Sequence, residues 1–410
     1  MGYTKDVIKG VSWTGLLSFS TKLVGFIEAL ILARILLPSQ FGAYGIAMLA
    51  LGLLETLTET GVNIVLVQEK ETERYISSAW IVSIARGLII MLVLLAVSPF
   101  IANFFHSPGS LILLLLISIV PFFRGFINPS VVKFQKELNF RKNFWYQMII
   151  LFVNTAISIT ITFMTKQPIG IIIGLLAGVI TELFLSFIVV SPRPRIQFEK
   201  EYIFKIFHRG KWITLGGIFD YLFYNSDNIA VGRILGATSL GIYQLAYSLA
   251  VMPLVEISNV FIYVTFPIFT KLSNDRPRLK NAYFKTVLGI CLLAIPFVLV
   301  FIIFPQIFVY ILGQKWSAIT SILPVLALLG FVKAISGSSS ALFLSELKQK
   351  YVMSITLITI VGMLLALVPL INRYGMIGAG EAALIGSVIP LPVIIYFIWK
   401  IFRNKNNTRI

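Results

Sequence analysis

The sequence predicts an all-α polytopic membrane protein with about twelve transmembrane helices in two six-helix lobes. Three observations carry that prediction. Of 410 residues, 58% are hydrophobic and only 12% are charged, with a mean hydropathy of +0.91; soluble domains sit nearer about 45–50% and about 25%. Apolar runs of the roughly 20 residues that a spanning helix needs recur along the whole chain. The chain also repeats itself. ARILLPSQFGAYGIA (33–47) and GRILGATSLGIYQLA (232–246) match at Arg34/Arg233, Ile35/Ile234, Leu36/Leu235, Gly42/Gly241, Tyr44/Tyr243 and Ala47/Ala246, at a constant offset of 199.

The elements follow in order. The first run, 11–37, is too long for the apolar region of a cleavable signal and reads as the first spanning helix. After Pro38 comes 42–66, then 76–100. Pro108 and Gly109 punctuate the chain before 110–130, and Pro168 separates 144–164 from 169–190. The next segment, SPRPRIQFEKEYIFKIFHRGKW (191–212), opens on Pro192 and Pro194 and turns basic and aromatic. It reads as an amphipathic helix on the inner membrane surface, or as a plain basic linker. The second lobe then runs through 212–235, 241–267, 284–305, 318–344, 351–371 and 377–399, with Gly375 before the last span. The expected organisation is an N-terminal lobe at 1–198, a linker at 199–211 and a C-terminal lobe with a basic tail at 212–410.

Charge fixes the orientation. With the N-terminus inside, most of the 34 Lys and Arg fall on inner segments, and the outer loops hold only Lys166, Lys315 and Arg373. That bias matches the accumulation of Lys and Arg in cytoplasmic loops. It places both termini in the cytoplasm of a multi-pass cell-membrane protein. It also accounts for the net charge of +17 without a nucleic-acid partner. An even number of spans separates the two copies of the repeat. The copies are therefore parallel, the plan of transporters that carry their substrate site between two halves. Trp13 aligns with Trp212 and Glu28 with Asp227, each acid six positions before its arginine.

The spans carry charges. Lys22, Arg34, Arg86, Arg124, Arg233 and Lys333 lie within them, as do Glu28, Glu55, Glu59, Glu182, Asp220, Asp227 and Glu256. Each would cost roughly 2.5–3.5 kcal/mol at the bilayer centre, so they must face water, pair, or sit near headgroups. Glu55 and Glu59 are four apart and share a face that Asn63 continues; Asp220 and Asp227 are seven apart and share another. The polar run Asn225–Ser226–Asp227–Asn228 points the seventh span toward a cavity, and Ser18, Lys22, Gly25 and Ala29 give the first span a small and polar stripe. The structural alternatives are snorkelling of Arg34 and Arg233 to headgroups, and pairing of Arg124, Lys333, Glu182 and Glu256 with neighbouring helices.

Catalytic signals are lacking. No G-x-x-x-x-G-K-[ST] loop occurs, so no ATPase is expected. His106 and His208 lie far apart, Cys291 is the single cysteine, and the loops are short. We expect no cofactor, no metal site and no enzyme.

Three segments carry a resemblance: LARILLPSQFGAYGIAMLALGLLETLTETGVNIVLVQ (32–68), NSDNIAVGRILGATSLGIYQLAYSLAVMPLVEISNVFIYVTFPIFTKL (225–272) and LGQKWSAITSILPVLALLGFVKAISGSSSALFLSELKQ (312–349). In order and spacing they resemble the polysaccharide and oligosaccharide-lipid flippases of the multidrug/oligosaccharidyl-lipid/polysaccharide exporter superfamily. The resemblance implies alternating access without ATP hydrolysis. The expected cargo is a polyprenyl-diphosphate-linked oligosaccharide of capsule, O-antigen, exopolysaccharide or teichuronic-acid type. It also implies cavity cations for the diphosphate or acidic sugars, here Lys22, Arg34, Arg86, Arg124, Arg233 and Lys333. Guanidinium groups suit phosphate because they bind it bidentately. Proton or sodium coupling would fall to Glu28, Glu55, Glu59, Asp220 and Asp227. Membrane lipids and glycan-assembly enzymes are the expected partners. Members commonly carry fourteen spans, and the twelve expected here omit the pair associated with a lipid-tail groove.

Other readings remain open. One is a multidrug or small-solute exporter of the same superfamily, which the buried acids favour. A solute carrier of the major facilitator fold also has twelve spans, but QEKETERY (68–75) lacks the G-x-x-x-D-R-x-G-R signature expected there. A membrane-embedded glycan polymerase is disfavoured by the short outer loops.

Overall fold

In the computed structural model the chain is described at residues 2–59, 61–62, 66–67, 72–197 and 199–403. These residues divide into two compact units, 1–225 and 226–410. Among them, ten helices are long and apolar enough to cross a membrane, and a bent pair makes an eleventh. The longest of these, Asp220–Leu272, has 53 residues, far more than a bilayer accommodates, and it breaks at Gly236. Taking its two arms separately gives the twelve spans that the sequence predicts. Asn63, residues 68–71 and the tail 404–410 lie outside the described residues.

The first unit opens with α1 (Gly2–Ile35) and α2 (Pro38–Leu57). The turn between them is set by Pro38, whose fixed φ suits the first helical position. Gln40 then reaches back: its Oε1 accepts from the Leu37 N–H at 2.8 Å. Its Nε2 donates to the Lys166 carbonyl at 3.1 Å, tying this turn to the end of a later helix. Next come α3 (Thr72–Phe104), α4 (Ser110–Ile117) and α5 (Ile119–Gly125), then a 3₁₀ turn (Pro129–Val132) and α6 (Lys133–Lys136). The expected single span at 110–130 is therefore bent, by 73° between Ser110–Gly125 and Pro129–Lys136. Asn128, fully buried at the bend, accounts for it. Its Oδ1 caps the Ser130 N–H at 2.9 Å, its own N–H donates to Ser186 Oγ at 3.0 Å, and its Nδ2 donates to the Pro192 carbonyl at 3.2 Å. Non-helical backbone at membrane depth is tolerated where protein or a lined cavity satisfies its polar groups, as these bonds do.

The helices α7 (Phe140–Thr165) and α8 (Ile169–Val189) form a tight hairpin. Gly170, Gly174 and Gly178 recur every four residues along α8 and meet Thr162, Ser158 and Asn154 of α7. Among the described residues the buried hydroxyls of Ser158 and Thr162 have no hydrogen-bond partner, so these residues serve by being small. The long helix α9 (Lys200–Leu272) gives its first part to this unit. Tyr221 explains why the division falls inside α9 rather than near residue 212. Its hydroxyl donates to the Leu49 carbonyl at 2.6 Å, and its ring covers Gly52 of α2. The basic and aromatic stretch from Lys200 is thus the opening of a long helix, continuous with the next span.

In the second unit, α9 changes direction at Gly236, where φ is 83° and ψ 175°, a conformation that favours glycine. The unit continues with α10 (Arg276–Ile303), α11 (Gln306–Leu312), a 3₁₀ turn (Gln314–Trp316), α12 (Ile319–Ser345), α13 (Gln349–Tyr374), α14 (Met376–Val388) and α15 (Leu391–Arg403). Asp275 caps α10 through the Arg278 N–H at 3.1 Å, and Arg276 pairs with Glu346 at 2.6 Å. Between α13 and α14 a second glycine seam appears, with Gly378 against Leu370 and Gly386 against Met363 and Thr359. In both units large apolar side chains stand exposed on the helix surfaces, among them Phe152, Ile188, Leu292 and Leu365. A soluble monomer rarely exposes so much apolar surface; lipid covers such a face.

Candidate functional site

The first unit holds an open cavity of about 670 Å³. It is lined by α1, the end of α2 and the residues after it, α3, α5, the bend that follows it, α6, α7 and α8, and its charged lining consists of Glu55, Glu59, Arg86, Arg124 and Glu182 among the described residues.

Backbone packing brings the two arginines together. Arg86 precedes Gly87 on α3, and Arg124 precedes Gly125 on α5. A Cβ on Gly87 would sit 2.2 Å from the Pro121 carbonyl oxygen, and one on Gly125 would sit 2.7 Å from the Ser83 carbonyl oxygen. No side chain fits at either position, so the helices touch backbone to backbone. The residue before each glycine is then delivered into the same space. Arg86 donates to the Glu55 carbonyl at 2.6 Å, to Thr58 Oγ1 at 3.2 Å and to Glu59 Oε2 at 3.4 Å. Arg124 pairs with the Glu55 carboxylate. Glu55 and Glu59 line the same cavity, but not on one helix face as their spacing predicts: α2 ends at Leu57 and Glu59 lies beyond its cap at Thr58. Each is claimed by one of the two arginines.

Glu182 differs from them. It faces the cavity from α8 within electrostatic reach of Arg124, yet its carboxylate makes no hydrogen bond or ion pair among the described residues. Its backbone carbonyl accepts from the Tyr146 hydroxyl at 3.3 Å. Residues that sequence reasoning passed over hold the rest of the wall: Asn128 at the bend, and the amides of Asn143 and Gln147 on α7.

The second unit arranges its polar groups differently. Asp227 is 5% exposed. The Tyr243 hydroxyl donates to its Oδ2 at 2.7 Å, while the Asn228 N–H and Nδ2 donate to its Oδ1 at 2.7 and 3.0 Å. Lys333 donates to the Tyr247 hydroxyl at 3.0 Å and stands within electrostatic reach of Asp227. The polar run 225–228 is therefore largely satisfied locally, with Asn225 donating to the Tyr221 carbonyl at 2.9 Å. Both Tyr243 and its repeat partner Tyr44 could have been found in the sequence, because the repeat keeps a tyrosine sixteen residues after each acid. In the first unit, Glu28 accepts from Thr155 Oγ1 at 2.9 Å, and Tyr44 lies near enough to feel its charge.

The remaining candidates are not gathered at either place. Lys22 and Arg34 are exposed on α1, Arg34 in its last turn. Arg233 is exposed three residues before the break at Gly236. Asp220 is exposed although it lies seven residues from buried Asp227, so a shared face does not give the two acids the same surroundings.

Known proteins supply a context. The chain matches the family model described as "Polysaccharide biosynthesis protein" over residues 31–321. It is similar to the lipopolysaccharide biosynthesis protein WzxC of Escherichia coli (strain K12), 23% identical over 350 residues, which are 84% of this chain and 71% of that protein. It is likewise similar to the teichuronic acid biosynthesis protein TuaB of Bacillus subtilis (strain 168), 23% identical over 350 residues, 84% of this chain and 72% of that one. Among solved structures it superposes on the lipid II flippase MurJ in an inward closed conformation with a TM-score of 0.71, over 96% of this chain and 89% of that chain, at 17% identity. That last likeness is one of fold.

Proposed function

The chain belongs to the polysaccharide biosynthesis protein family, and from that premise we propose that it moves a polyprenyl-diphosphate-linked oligosaccharide from the inner to the outer leaflet by alternating access. It is a multi-pass membrane transporter and not an enzyme. The observation that carries the proposal is the pair of guanidinium groups, Arg86 and Arg124, held at an open cavity among membrane-spanning helices. Guanidinium groups at such a place suit phosphate and acidic sugars. Their carboxylate partners keep them from being buried uncompensated while the cavity is empty.

On this reading Arg86 and Arg124 meet the anionic head. Lys22, Arg34, Arg233 and Lys333 serve it elsewhere along its route. Glu28, Glu55, Glu59, Asp220 and Asp227 are the candidates for a coupling proton or sodium ion. Both termini lie in the cytoplasm, as the distribution of Lys and Arg suggests. The glycan-assembly enzymes of the same pathway supply the cargo.

A second reading, a multidrug or small-solute exporter of the same superfamily, is favoured by one observation: among the described residues three carboxylates and two guanidinium groups face the cavity. One experiment separates the two. Polyprenyl-linked intermediates are measured by mass spectrometry in cells lacking the protein, and a membrane-impermeant glycan-modifying enzyme reports their sidedness. A finished repeat unit accumulating on the cytoplasmic leaflet is the expected result. No accumulation, in cells with no redundant flippase, would overturn the glycan reading in favour of small-molecule export.

A further inference from the structure

We propose that Glu182 is the proton-linked group of the first-unit cavity: an anionic head binds there together with a proton taken up by the Glu182 carboxylate. The inference rests on the reading of that cavity as an anion site and goes beyond it by assigning a residue and a linkage.

The argument is one of charge and partners. Five charged side chains line the cavity among the described residues. Arg124 is matched by Glu55, and Arg86 by Glu59. Glu182 is left over, half-buried and facing the same space, with no hydrogen bond or ion pair to its carboxylate among the described residues. With every group ionised, the described lining carries one more negative than positive charge. A diphosphate entering that space meets a third carboxylate that no ion pair matches, and like charges at short range repel.

Protonating Glu182 removes the excess and leaves two matched pairs for the ligand to compete with. The proton that binds comes from bulk water, the carboxylate becomes a carboxylic acid, and no other bond changes. Because linkage is reciprocal, a bound anion raises the affinity of Glu182 for a proton by the factor by which that proton raises the affinity for the anion. The groups facing Glu182 from the packed elements are Glu55 at the end of α2, Glu59 just beyond it, Arg86 on α3, Arg124 on α5, and Tyr146 on α7. Glu182 is the only charged residue of α8. Of these, only Glu55 and Glu59 could imitate a proton-linked Glu182, and both are held in ion pairs. The sequence offered Glu182 as one more acid that a neighbouring helix would pair; its lack of such a pair sets it apart.

The test uses the full chain purified in detergent, with P1,P2-dimethyl diphosphate as the probe. This diester keeps a constant charge between about pH 6 and about pH 8, so any pH dependence belongs to the protein. Calorimetry should show binding about tenfold tighter at the lower pH, within the usual range of coupling between two sites. It should also show net proton uptake on binding, read from the dependence of the heat on buffer ionisation. Glu182→Gln should bind equally well at both pH values, close to the wild type at the lower one. Glu55→Gln should bind more tightly at both pH values and keep the dependence.

If wild-type binding is independent of pH, or takes up no proton, the proposal is overturned while the anion site stands. A pH dependence that survives in Glu182→Gln and vanishes in Glu55→Gln moves the role to Glu55 and overturns it as well. Failure of the wild type to bind the diester at either pH overturns the anion reading beneath it. The proton-uptake measurement needs no variant, so its absence in the wild type overturns the proposal even where Glu182→Gln does not fold; loss of the uptake in Glu55→Gln would then overturn it as well, and its persistence there would support Glu182.

Discussion

Two units share a repeat and solve the same problem differently. Both must hold an acid inside a membrane bundle, Glu28 in the first and Asp227 in the second, and both keep a tyrosine sixteen residues further on. In the second unit the solution is closed. Asp227 is ringed by donors from Tyr243 and Asn228, and Lys333 reaches the neighbouring Tyr247. In the first unit Glu28 is half-buried and accepts from Thr155. The strongest charges there have moved to another place, the open cavity of Arg86, Arg124 and three glutamates. Duplication thus kept the helix–turn–helix that opens each unit, while the polar chemistry diverged. Even the corner is built differently, on Pro38 in the first copy and on the positive φ of Gly236 in the second. Polar side chains answer to whichever helices pack against them, and these differ.

The comparison can be broken at its most rigid point first. Gly87→Leu should force α3 from α5, because a Cβ already meets the Pro121 carbonyl oxygen at 2.2 Å. A loss of about 3 kcal/mol is expected, at the upper end of what overpacking costs, seen as a lower midpoint of thermal unfolding in detergent. Gly378→Leu, where a Cβ would lie 2.0 Å from the Leu370 carbonyl oxygen, should cost as much. If only one of them destabilises, the two units are not equally dependent on glycine contacts.

A smaller effect separates the two acids. Asp227→Ala strands the buried Tyr243 hydroxyl and should cost about 1–3 kcal/mol, the price of an unsatisfied buried donor. Glu28→Ala should cost about 1 kcal/mol or less, since its partner Thr155 is only half-buried. Equal losses in thermal unfolding would mean that Tyr44 holds Glu28 as tightly as Tyr243 holds Asp227, and the contrast between the units would fall.

The smallest stability effect belongs to the arginines of the repeat. Arg34→Gln and Arg233→Gln remove exposed side chains and should leave unfolding within about 0.5 kcal/mol. Translocation of the lipid-linked glycan, followed by the sidedness assay, should fall in both. Unchanged translocation would take both residues off the route and leave them as headgroup contacts.

Much of this molecule could be read from its sequence. A bilayer imposes a one-dimensional rule, about 20 apolar residues per crossing, and such a rule survives in a linear string. The span count was legible for that reason, and the repeat was legible as a match of residues at a constant offset. The proximity of Glu55 and Glu59 was legible too, although not its form: the helix ends at Leu57, so Glu59 reaches the cavity from beyond it. The bend at Asn128 was not legible, since its partners Ser186 and Pro192 lie on distant segments. The pairing of Arg124 with Glu55, 69 residues apart, was not legible either. Nor was the isolation of Glu182. Sequence determined that charges had to be accommodated inside the membrane, because lipid does not solvate them. Only the tertiary structure decided which acid met which arginine, because that depends on two glycines letting two backbones touch.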